Sequence, residues 1–254
     1  VAAAGAFVID NSSAWRKDPQ VPLVVSEVNA GDLADIPKGI VANPNCTTMV
    51  MMMALAPLHH AAGLERLVVS TYQAVSGTGN KAIAELEEQS SRVLAGEPID
   101  DPKVYPHRIA FNVIPQVENF KDGDDYTTEE RKVMAETRKI LGFGDEVGIS
   151  ATCARVPVVS GHSESINIQT REDLSPDRAR EILGQVSGVI VVDDPSNGEY
   201  PMAIDGAGRD EVLVGRIRRD PSQERCLNLW LVGDNLRRGA ATNAGQVAEV
   251  LIEN

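Results

Sequence analysis

Cysteine is scarce in this chain, and the spacing typical of cysteine-rich proteins is absent. The 254 residues contain three cysteines, Cys46, Cys153 and Cys226, and none belongs to a CxxC pair. An odd number of widely separated thiols predicts neither a disulfide framework nor a zinc site, so we expect no bound metal. Free thiols of this kind are typical of a protein in the reducing cytoplasm.

Long apolar runs and a surplus of basic residues are also absent. No stretch reaches the roughly 18 consecutive apolar residues of a membrane helix, and the first residues do not resemble a signal peptide. Lysine and arginine number 24 against 37 acidic residues, a formal net charge of −13. Nucleic acids and anionic membranes attract basic proteins, so neither is an expected partner. A chain of this length can form one large domain or two modest domains.

The stretch VANPNCTT, from Val41 to Thr48, contains the most informative cysteine. An apolar run ends at an Asn-Pro-Asn turn, and the Met-, Ala- and Leu-rich segment 47–58 predicts a helix that starts next to Cys46. A helix N-terminus stabilises a thiolate, so we expect the pKa of Cys46 to lie below its usual value of roughly 8.5. A small buried thiol at a helix cap is the commoner situation, but the order of strand, turn, cysteine and helix favours a reactive side chain.

Hydrophobic patterns predict an alternation of strands and helices along the chain. The small residues at 1–5 predict the end of a helix, and Thr127 with Glu130 forms a capping box that predicts a helix start. The predicted strands cover residues 6–9, 67–75, 109–114, 148–159, 163–170, 189–192, 211–218 and 226–232. The other predicted helices cover residues 81–94, 177–186 and 239–252.

Arg155 and His162 are a candidate catalytic pair that depends on a bend. In a straight strand the seven-residue separation would place them on opposite faces and roughly 23 Å apart. Pro157 and Gly161 lie between them and make a bend plausible. A permanent cation and a group that titrates near neutral pH, placed on one turn, indicate a catalytic pair. The commoner explanation for two such residues is an ordinary surface turn without a function.

Other polar residues remain open to two interpretations. Gln73 near a strand end is either a plain strand residue or a substrate ligand, and Arg16 is either a solvated loop arginine or an anion ligand. Glu129 and Lys132 form either an exposed ion pair or the edge of a site. The segment 77–82 matches G-x-G-x-x-A, but no second parallel strand with an acidic end follows it, so we reject it as a pyrophosphate site.

Taken together, the segments resemble aspartate-β-semialdehyde dehydrogenase of the bacterial or actinobacterial type over nearly the whole chain. The matching stretches are VIDNSSAWR, VPLVVSEVN, NPNCTT, STYQAVSGTG, YTTEERKV with ETRKI, ARVPVVSGHSES, VGRIRRD and DNLRRGAATN. The resemblance implies an α/β fold: part of a Rossmann-type parallel sheet, and a catalytic domain with a mixed, largely antiparallel sheet covered by helices, similar to glyceraldehyde-3-phosphate dehydrogenase. It implies an NADP-binding segment at 1–45, a catalytic and dimerisation domain at 46–234, and a final helix at 235–254 that returns to the first domain.

The resemblance also implies roles for single residues. Cys46 is implied as the nucleophile, His162 as the acid/base and Gln73 as a residue that orients the substrate. The implied substrate ligands are Arg155 for the α-carboxylate, Glu129 for the amino group, Arg16 and Lys132 for phosphate, and Asn45 near the substrate. The implied cofactor-binding residues are Ser12, Ser76, Gly77 and Asn235.

The implied activity is reversible, NADP-dependent reductive dephosphorylation of aspartyl phosphate to aspartate semialdehyde, with release of inorganic phosphate. It belongs to the biosynthesis of lysine, threonine, methionine and isoleucine in a cytoplasmic homodimer. The family's first strand and glycine-rich loop have no counterpart before Val1, so we expect this chain by itself to bind NADP poorly. Alternatives are an N-acyl-glutamyl-phosphate reductase, an inactive dimerising fragment and, less favoured, a cysteine hydrolase.

Overall fold

The structure, a computed structural model, describes residues 4–253. Residues 1–3, where the sequence predicts the end of a helix, lie outside the described residues. The strands are β1 (Val8–Asp10), β2 (Ile40–Ala42), β3 (Leu64–Gln73), β4 (Gly148–Arg155), β5 (His162–Thr170), β6 (Val189–Val191), β7 (Val212–Arg219) and β8 (Cys226–Gly233). The α-helices are α1 (Ser26–Asn29), α2 (Cys46–Ala62), α3 (Asn80–Ala95), α4 (Thr128–Leu141), α5 (Pro176–Leu183), α6 (Ala203–Gly206) and α7 (Asn243–Glu253).

A mixed six-stranded sheet organises most of the chain, in the strand order β4-β3-β5-β8-β7-β6. The pairs β3–β4 and β6–β7 are parallel, whereas β3–β5, β5–β8 and β7–β8 are antiparallel. Helices α2, α4 and α5 pack on one face of this sheet. The predicted mixed, largely antiparallel sheet covered by helices is therefore confirmed.

Helix α2 forms the centre of the hydrophobic core. Its methionines from Met49 to Met53, together with Val50, are completely buried, which is typical of a helix surrounded by protein on all sides. Asn45 caps the helix, because its side-chain oxygen accepts hydrogen bonds from the backbone N–H groups of Thr47 and Thr48. The predicted helix start next to Cys46 is confirmed, and Cys46 is the first residue of α2.

A second, smaller unit forms around the parallel pair β1–β2. Val247 of the last helix α7 packs against Val24, Leu33 and Val41, which all come from the first part of the chain. The N-terminal and C-terminal segments therefore share one small apolar core. None of the helices between residues 4 and 253 combines the length and apolar character needed to cross a membrane.

Several predicted boundaries differ from the structure. The predicted strand 109–114 is wrong: only Ile114 forms a bridge, to Arg155, because Phe111 has a φ of 56° that interrupts an extended backbone. The predicted helix 239–252 is divided into a π-helical turn, Arg237–Thr242, and helix α7. The first strand lies at Val8–Asp10 and is half-buried rather than buried. The capping box at Thr127 is confirmed.

Candidate active site

Cys46 and His162 meet where α2 and β5 begin. The Cys46 Sγ atom lies 3.4 Å from His162 Nε2, and the imidazole is completely buried. The backbone N–H of Ala74 donates a hydrogen bond of 3.0 Å to His162 Nδ1. A neutral ring with Nδ1 as acceptor carries its proton on Nε2, so the N–H that remains faces the sulfur.

Burial decides the charge of both groups. It raises the pKa of the Cys46 thiol to about 12, with a smaller contribution from the Glu129 charge. Burial also lowers the pKa of His162 to about 3, and the Arg155 cation acts in the same direction. The prediction of a lowered thiol pKa is therefore wrong for the resting site, because burial outweighs the helix N-terminus. At neutral pH the pair consists of a thiol and a neutral imidazole.

The predicted bend between Arg155 and His162 is confirmed. Strand β4 ends at Arg155, and the connection to β5 folds back, so that Val75 and Ser76 donate backbone hydrogen bonds of 2.9 and 3.1 Å to residues 158 and 159. Gly77 lies between the two side chains, because a Cβ atom there would be 3.2 Å from both Arg155 Nη1 and His162 Cε1. Residues seven positions apart thus share one site.

Arg155 is a buried cation without a carboxylate partner among residues 4–253. Arg155 is 6% exposed. Its Nη1 donates a hydrogen bond of 2.7 Å to the Ala74 carbonyl, and its Nε is buried without a hydrogen-bond partner among the described residues. Arg155 lines a cavity of about 370 Å³ together with Cys46, Gln73 and Glu129. Burial of an unpaired charge costs several kcal/mol, so this guanidinium is suited to hold an anionic ligand.

Glu129 connects the candidate polar residues of this cavity. Its carboxylate accepts hydrogen bonds from Asn45 Nδ2, at 3.0 and 3.1 Å, and from Gln73 Nε2, at 3.0 Å. Thr71 donates a further bond of 3.1 Å to Gln73 Oε1. Glu129 is only 3% exposed. It therefore lies in the wall of the cavity, and its ion pair with Lys132 is not an exposed one.

The two remaining candidate cations are each held by carboxylates. Arg16 is buried and pairs through Nη1 with Glu136 Oε1 at 3.1 Å. Lys132 Nζ pairs with Glu118 and lies 3.5 Å from Glu129 Oε2. Arg16 is therefore not a solvated loop residue. A phosphate that reached these cations would share or replace their existing carboxylate partners.

The predicted cofactor residues fall into two places. Ser76 and Asn235 bond each other through their side chains at 2.9 and 3.2 Å, and Asn235 Oδ1 accepts a bond of 3.1 Å from the backbone of Gly161. Gly77, which follows Ser76, lies beside His162, and Gly161, which bonds to Asn235, directly precedes His162. Ser12 lies in the exposed turn after β1, where its Oγ donates to Asp10 Oδ1 at 2.6 Å.

Comparisons with known proteins agree with this arrangement. Residues 55–238 match the family model described as semialdehyde dehydrogenase, dimerisation domain, and residues 1–36 match the model described as semialdehyde dehydrogenase, NAD binding domain. The chain is 54% identical to the aspartate-semialdehyde dehydrogenase of Aquifex aeolicus (strain VF5), over 98% of this chain and 73% of the relative. The chain belongs to the aspartate-semialdehyde dehydrogenase family.

Other members of the aspartate-semialdehyde dehydrogenase family extend the comparison. The Bacillus subtilis (strain 168) enzyme is 47% identical over 97% of this chain and 72% of its own length. The crystal structure of aspartate semialdehyde dehydrogenase II from Vibrio cholerae matches with a TM-score of 0.95 and 43% identity, covering 100% of this chain and 74% of that one. A second structure of the Vibrio cholerae enzyme, complexed with ASA, has the same TM-score of 0.95 at 42% identity.

The structure adds site residues that the sequence analysis of this family member missed. Glu136 lies two helical turns after Glu129 on α4, and its Oε2 accepts a hydrogen bond of 2.6 Å from the Asn45 backbone. The seven-residue spacing of these two glutamates was a signal that could have found it. Gly239 packs so closely that a Cβ would lie 2.8 Å from Cys46 Cβ. Tyr105, in an irregular loop, lines the cavity without any periodic signal in the sequence.

Proposed function

We propose that this protein catalyses the reversible reductive dephosphorylation of L-4-aspartyl phosphate to L-aspartate 4-semialdehyde, with NADP and a thioester on Cys46. The observation that carries the proposal is the cavity that combines a sulfur 3.4 Å from an imidazole with the buried, unpaired cation of Arg155. A carboxylate is the natural partner of such a guanidinium. The Vibrio cholerae relative, whose crystal structure was determined with ASA, supports this substrate class.

Cys46 provides covalent catalysis in this reaction. In the reductive direction the thiol gives its proton to His162 as its sulfur forms a bond to the acyl carbon. The bond from that carbon to the phosphate oxygen breaks, and phosphate leaves with the bonding electron pair and takes up the proton. A bound NADPH would supply the hydride that reduces the thioester to the aldehyde level, and release of the aldehyde frees the sulfur of Cys46. The reverse reaction begins with addition of the sulfur to the aldehyde carbon and ends with attack of phosphate on the thioester.

His162 handles protons at Nε2, the nitrogen that faces the sulfur. Because Ala74 N–H occupies Nδ1, the resting ring donates from Nε2, and a substrate oxygen that gains negative charge can accept this bond. The ring can accept the proton of the thiol or of the hemithioacetal hydroxyl only if Nδ1 gives up its bond to Ala74. This requirement links acid/base work by His162 to a movement of the turn after β3.

The remaining polar groups orient the substrate. We assign the α-carboxylate to Arg155 and the amino group to Glu129, whose buried carboxylate lies in the same cavity. Gln73 is fixed by Thr71 and Glu129, so it can orient the acyl group. Arg16 and Lys132 are assigned to the phosphate, and the site thereby supplies the local positive charge that the acidic chain as a whole lacks.

The described residues fit the nicotinamide cofactor. Gly77 lacks a Cβ, which would lie 3.2 Å from His162 Cε1, so its backbone can approach the imidazole closely. The neighbouring Ser76 side chain forms hydrogen bonds with the side chain of Asn235. Ser12 follows β1, at the carboxyl end of a parallel strand pair, where dinucleotides bind in doubly wound folds. We therefore propose that Ser76, Gly77 and Asn235 bind the nicotinamide end of NADP, and that Ser12 binds the opposite end.

The division of the chain is part of the proposal. We propose an NADP-binding segment at 1–45, a catalytic and dimerisation domain at 46–234, and a last segment at 235–254 that returns to the first. The packing of Val247 against Val24 and Val41 supports the return. The proposed homodimer surface is the face of the large sheet that bears Tyr72 and Trp230, whose ring centroids lie 5.3 Å apart. Three free cysteines support a cytoplasmic location.

Two measurements test the proposed function separately. Mass spectrometry after mixing with aspartyl phosphate should detect an acyl group on Cys46, a half-reaction that needs no cofactor. Phosphate-dependent reduction of NADP with aspartate semialdehyde, measured at high NADP concentration because we expect this chain to bind NADP poorly, tests the complete reaction. Cys46→Ser should abolish both signals, and Cys226→Ser, at a thiol outside the cavity, should retain both. Acylation of Cys226 but not Cys46, or preferential turnover of N-acetylglutamate semialdehyde, would contradict the proposal.

A further inference from the structure

Tyr105 lines the cavity from a loop that no functional assignment yet includes. Its ring centroid lies 5.9 Å from Arg155 Cζ, within the range of a cation–π contact. Its hydroxyl donates a hydrogen bond of 3.0 Å to Thr78 Oγ1, in the turn that also contains Gly77. The ring of Tyr105 thus contacts Arg155 while its hydroxyl is held by Thr78.

The position of Tyr105 is well defined, because helix α3 holds the loop at both ends. Glu85 Oε2 accepts hydrogen bonds from the backbone N–H groups of Lys103 and Val104, at 2.7 and 2.9 Å. Gln89 Oε1 accepts bonds from the next part of the loop, at residues 109 and 110, of 3.0 and 3.2 Å. The ring itself packs against a small apolar cluster that includes Val75.

The Tyr105 ring is one of the few groups that compensate the buried positive charge of Arg155. The guanidinium is nearly inaccessible and has no carboxylate partner among the described residues, so its compensation comes from the Ala74 carbonyl and from the ring. An aromatic face attracts a cation and also excludes water. Exclusion of water lowers the local dielectric, and a carboxylate that reaches the guanidinium is then bound more strongly.

We propose that Tyr105 determines the affinity of the site for carboxylate-bearing substrates, by covering the Arg155 guanidinium and keeping it dry. The proposal rests on the proposed function, since it takes Arg155 as the ligand of the substrate carboxylate. The ring carries the effect, and the hydroxyl serves to hold the ring through Thr78.

Succinate, a four-carbon dicarboxylate, is a suitable probe that needs no cofactor. Its dissociation constant is obtained from the protection of Cys46 against alkylation by iodoacetamide, each variant being normalised to its own unprotected rate. We expect Tyr105→Ala to weaken succinate binding about tenfold, and Tyr105→Phe to change it less than about twofold. Added salt should weaken binding to Tyr105→Ala more than to the wild type, because solvated charges are screened more strongly.

A matched control and two further variants make the outcome unambiguous. Tyr126→Ala removes a surface ring that lies 4.5 Å from Arg131, a cation–π contact of the same kind outside the cavity, and should leave succinate binding unchanged. Tyr105→Leu keeps apolar bulk against the cluster and lacks the aromatic face, so it should bind succinate several-fold more weakly than Tyr105→Phe. If Tyr105→Ala or Tyr105→Leu binds succinate with wild-type affinity while Arg155→Lys binds it weakly, the proposed role of Tyr105 is wrong and the assignment of Arg155 stands. Wild-type affinity in Arg155→Lys would instead overturn the assignment of Arg155.

Discussion

Glu164 provides the sharpest test of the energetics, because it is a buried acid that the proposed reaction does not use. The residue lies on β5 between Thr71 and Leu231, is 0% exposed, and neither carboxyl oxygen has a hydrogen-bond partner in the part of the chain that the structure describes. Burial alone raises its pKa well above the ordinary value. The folded protein therefore binds a proton at Glu164 under conditions in which the unfolded chain has released it.

The sign and size of the effect follow from this difference. Below the unfolded pKa of roughly 4.3 both states are protonated, and the full stability is present. As the pH rises towards the higher folded pKa, the free energy of unfolding falls by about 1.4 kcal/mol per pH unit. Glu164→Gln cannot titrate, so its stability relative to the wild type should increase as the pH rises from about 5 to about 6.5, by at most about 1.4 kcal/mol per pH unit.

Urea unfolding monitored by tryptophan fluorescence measures this difference at the two pH values. Glu88→Gln, the same chemical change at a side chain that is 58% exposed, is the matched control. If the gain in free energy of unfolding of Glu164→Gln over the wild type stays constant or shrinks as the pH rises, Glu164 is not a protonated buried acid.

The remaining predictions concern the nucleophile and its surroundings. Because the thiol pKa is about 12, alkylation of Cys46 by iodoacetamide should accelerate about tenfold per pH unit between about pH 7 and about pH 9; a rate independent of pH would indicate a resting thiolate. A Cβ at Gly77 would lie 3.2 Å from the guanidinium and from the imidazole, so Gly77→Ala should slow Cys46 acylation at least about tenfold. The comparison is Gly31→Ala, whose Cβ would meet nothing within 4 Å; equal rates in both variants would contradict the close packing. Glu136→Gln removes the negative charge that pairs with the buried Arg16 and should lower the free energy of unfolding by about 3 kcal/mol in urea titrations. A loss below about 1 kcal/mol would mean that Arg16 finds another partner.

Local chemistry explains which predictions from the sequence succeeded. The start of α2 after Asn45 and the start of α4 after Thr127 depend on hydrogen bonds within three or four residues, and both are present. The strand predicted at 109–114 failed, because apolar residues there turn towards α3 instead of pairing in a sheet. An apolar run by itself does not distinguish these two outcomes.

For the candidate site, too, some properties were predictable from the sequence and others were not. Residue types and their order made Cys46, Arg155 and His162 candidates, and the family resemblance supplied the roles proposed for them. The protonation states were not predictable, because the pKa of Cys46 depends on the water removed by segments far away in the chain. The tautomer of His162 likewise depends on one backbone N–H from Ala74, 88 residues earlier in the chain.

The sequence by itself determined where helices begin, which faces of the strands are apolar, and which family the chain resembles, since these properties reside in neighbouring residues and in an ordered set of motifs. Only the tertiary structure decided that Arg155 lacks a carboxylate partner among the described residues, that the ring of Tyr105 covers it, and that Glu136 joins Arg16 to the turn before Cys46. The burial of a side chain and the charges around it depend on every segment that packs against it, including segments far away in the chain. A local sequence pattern does not specify which segments those are.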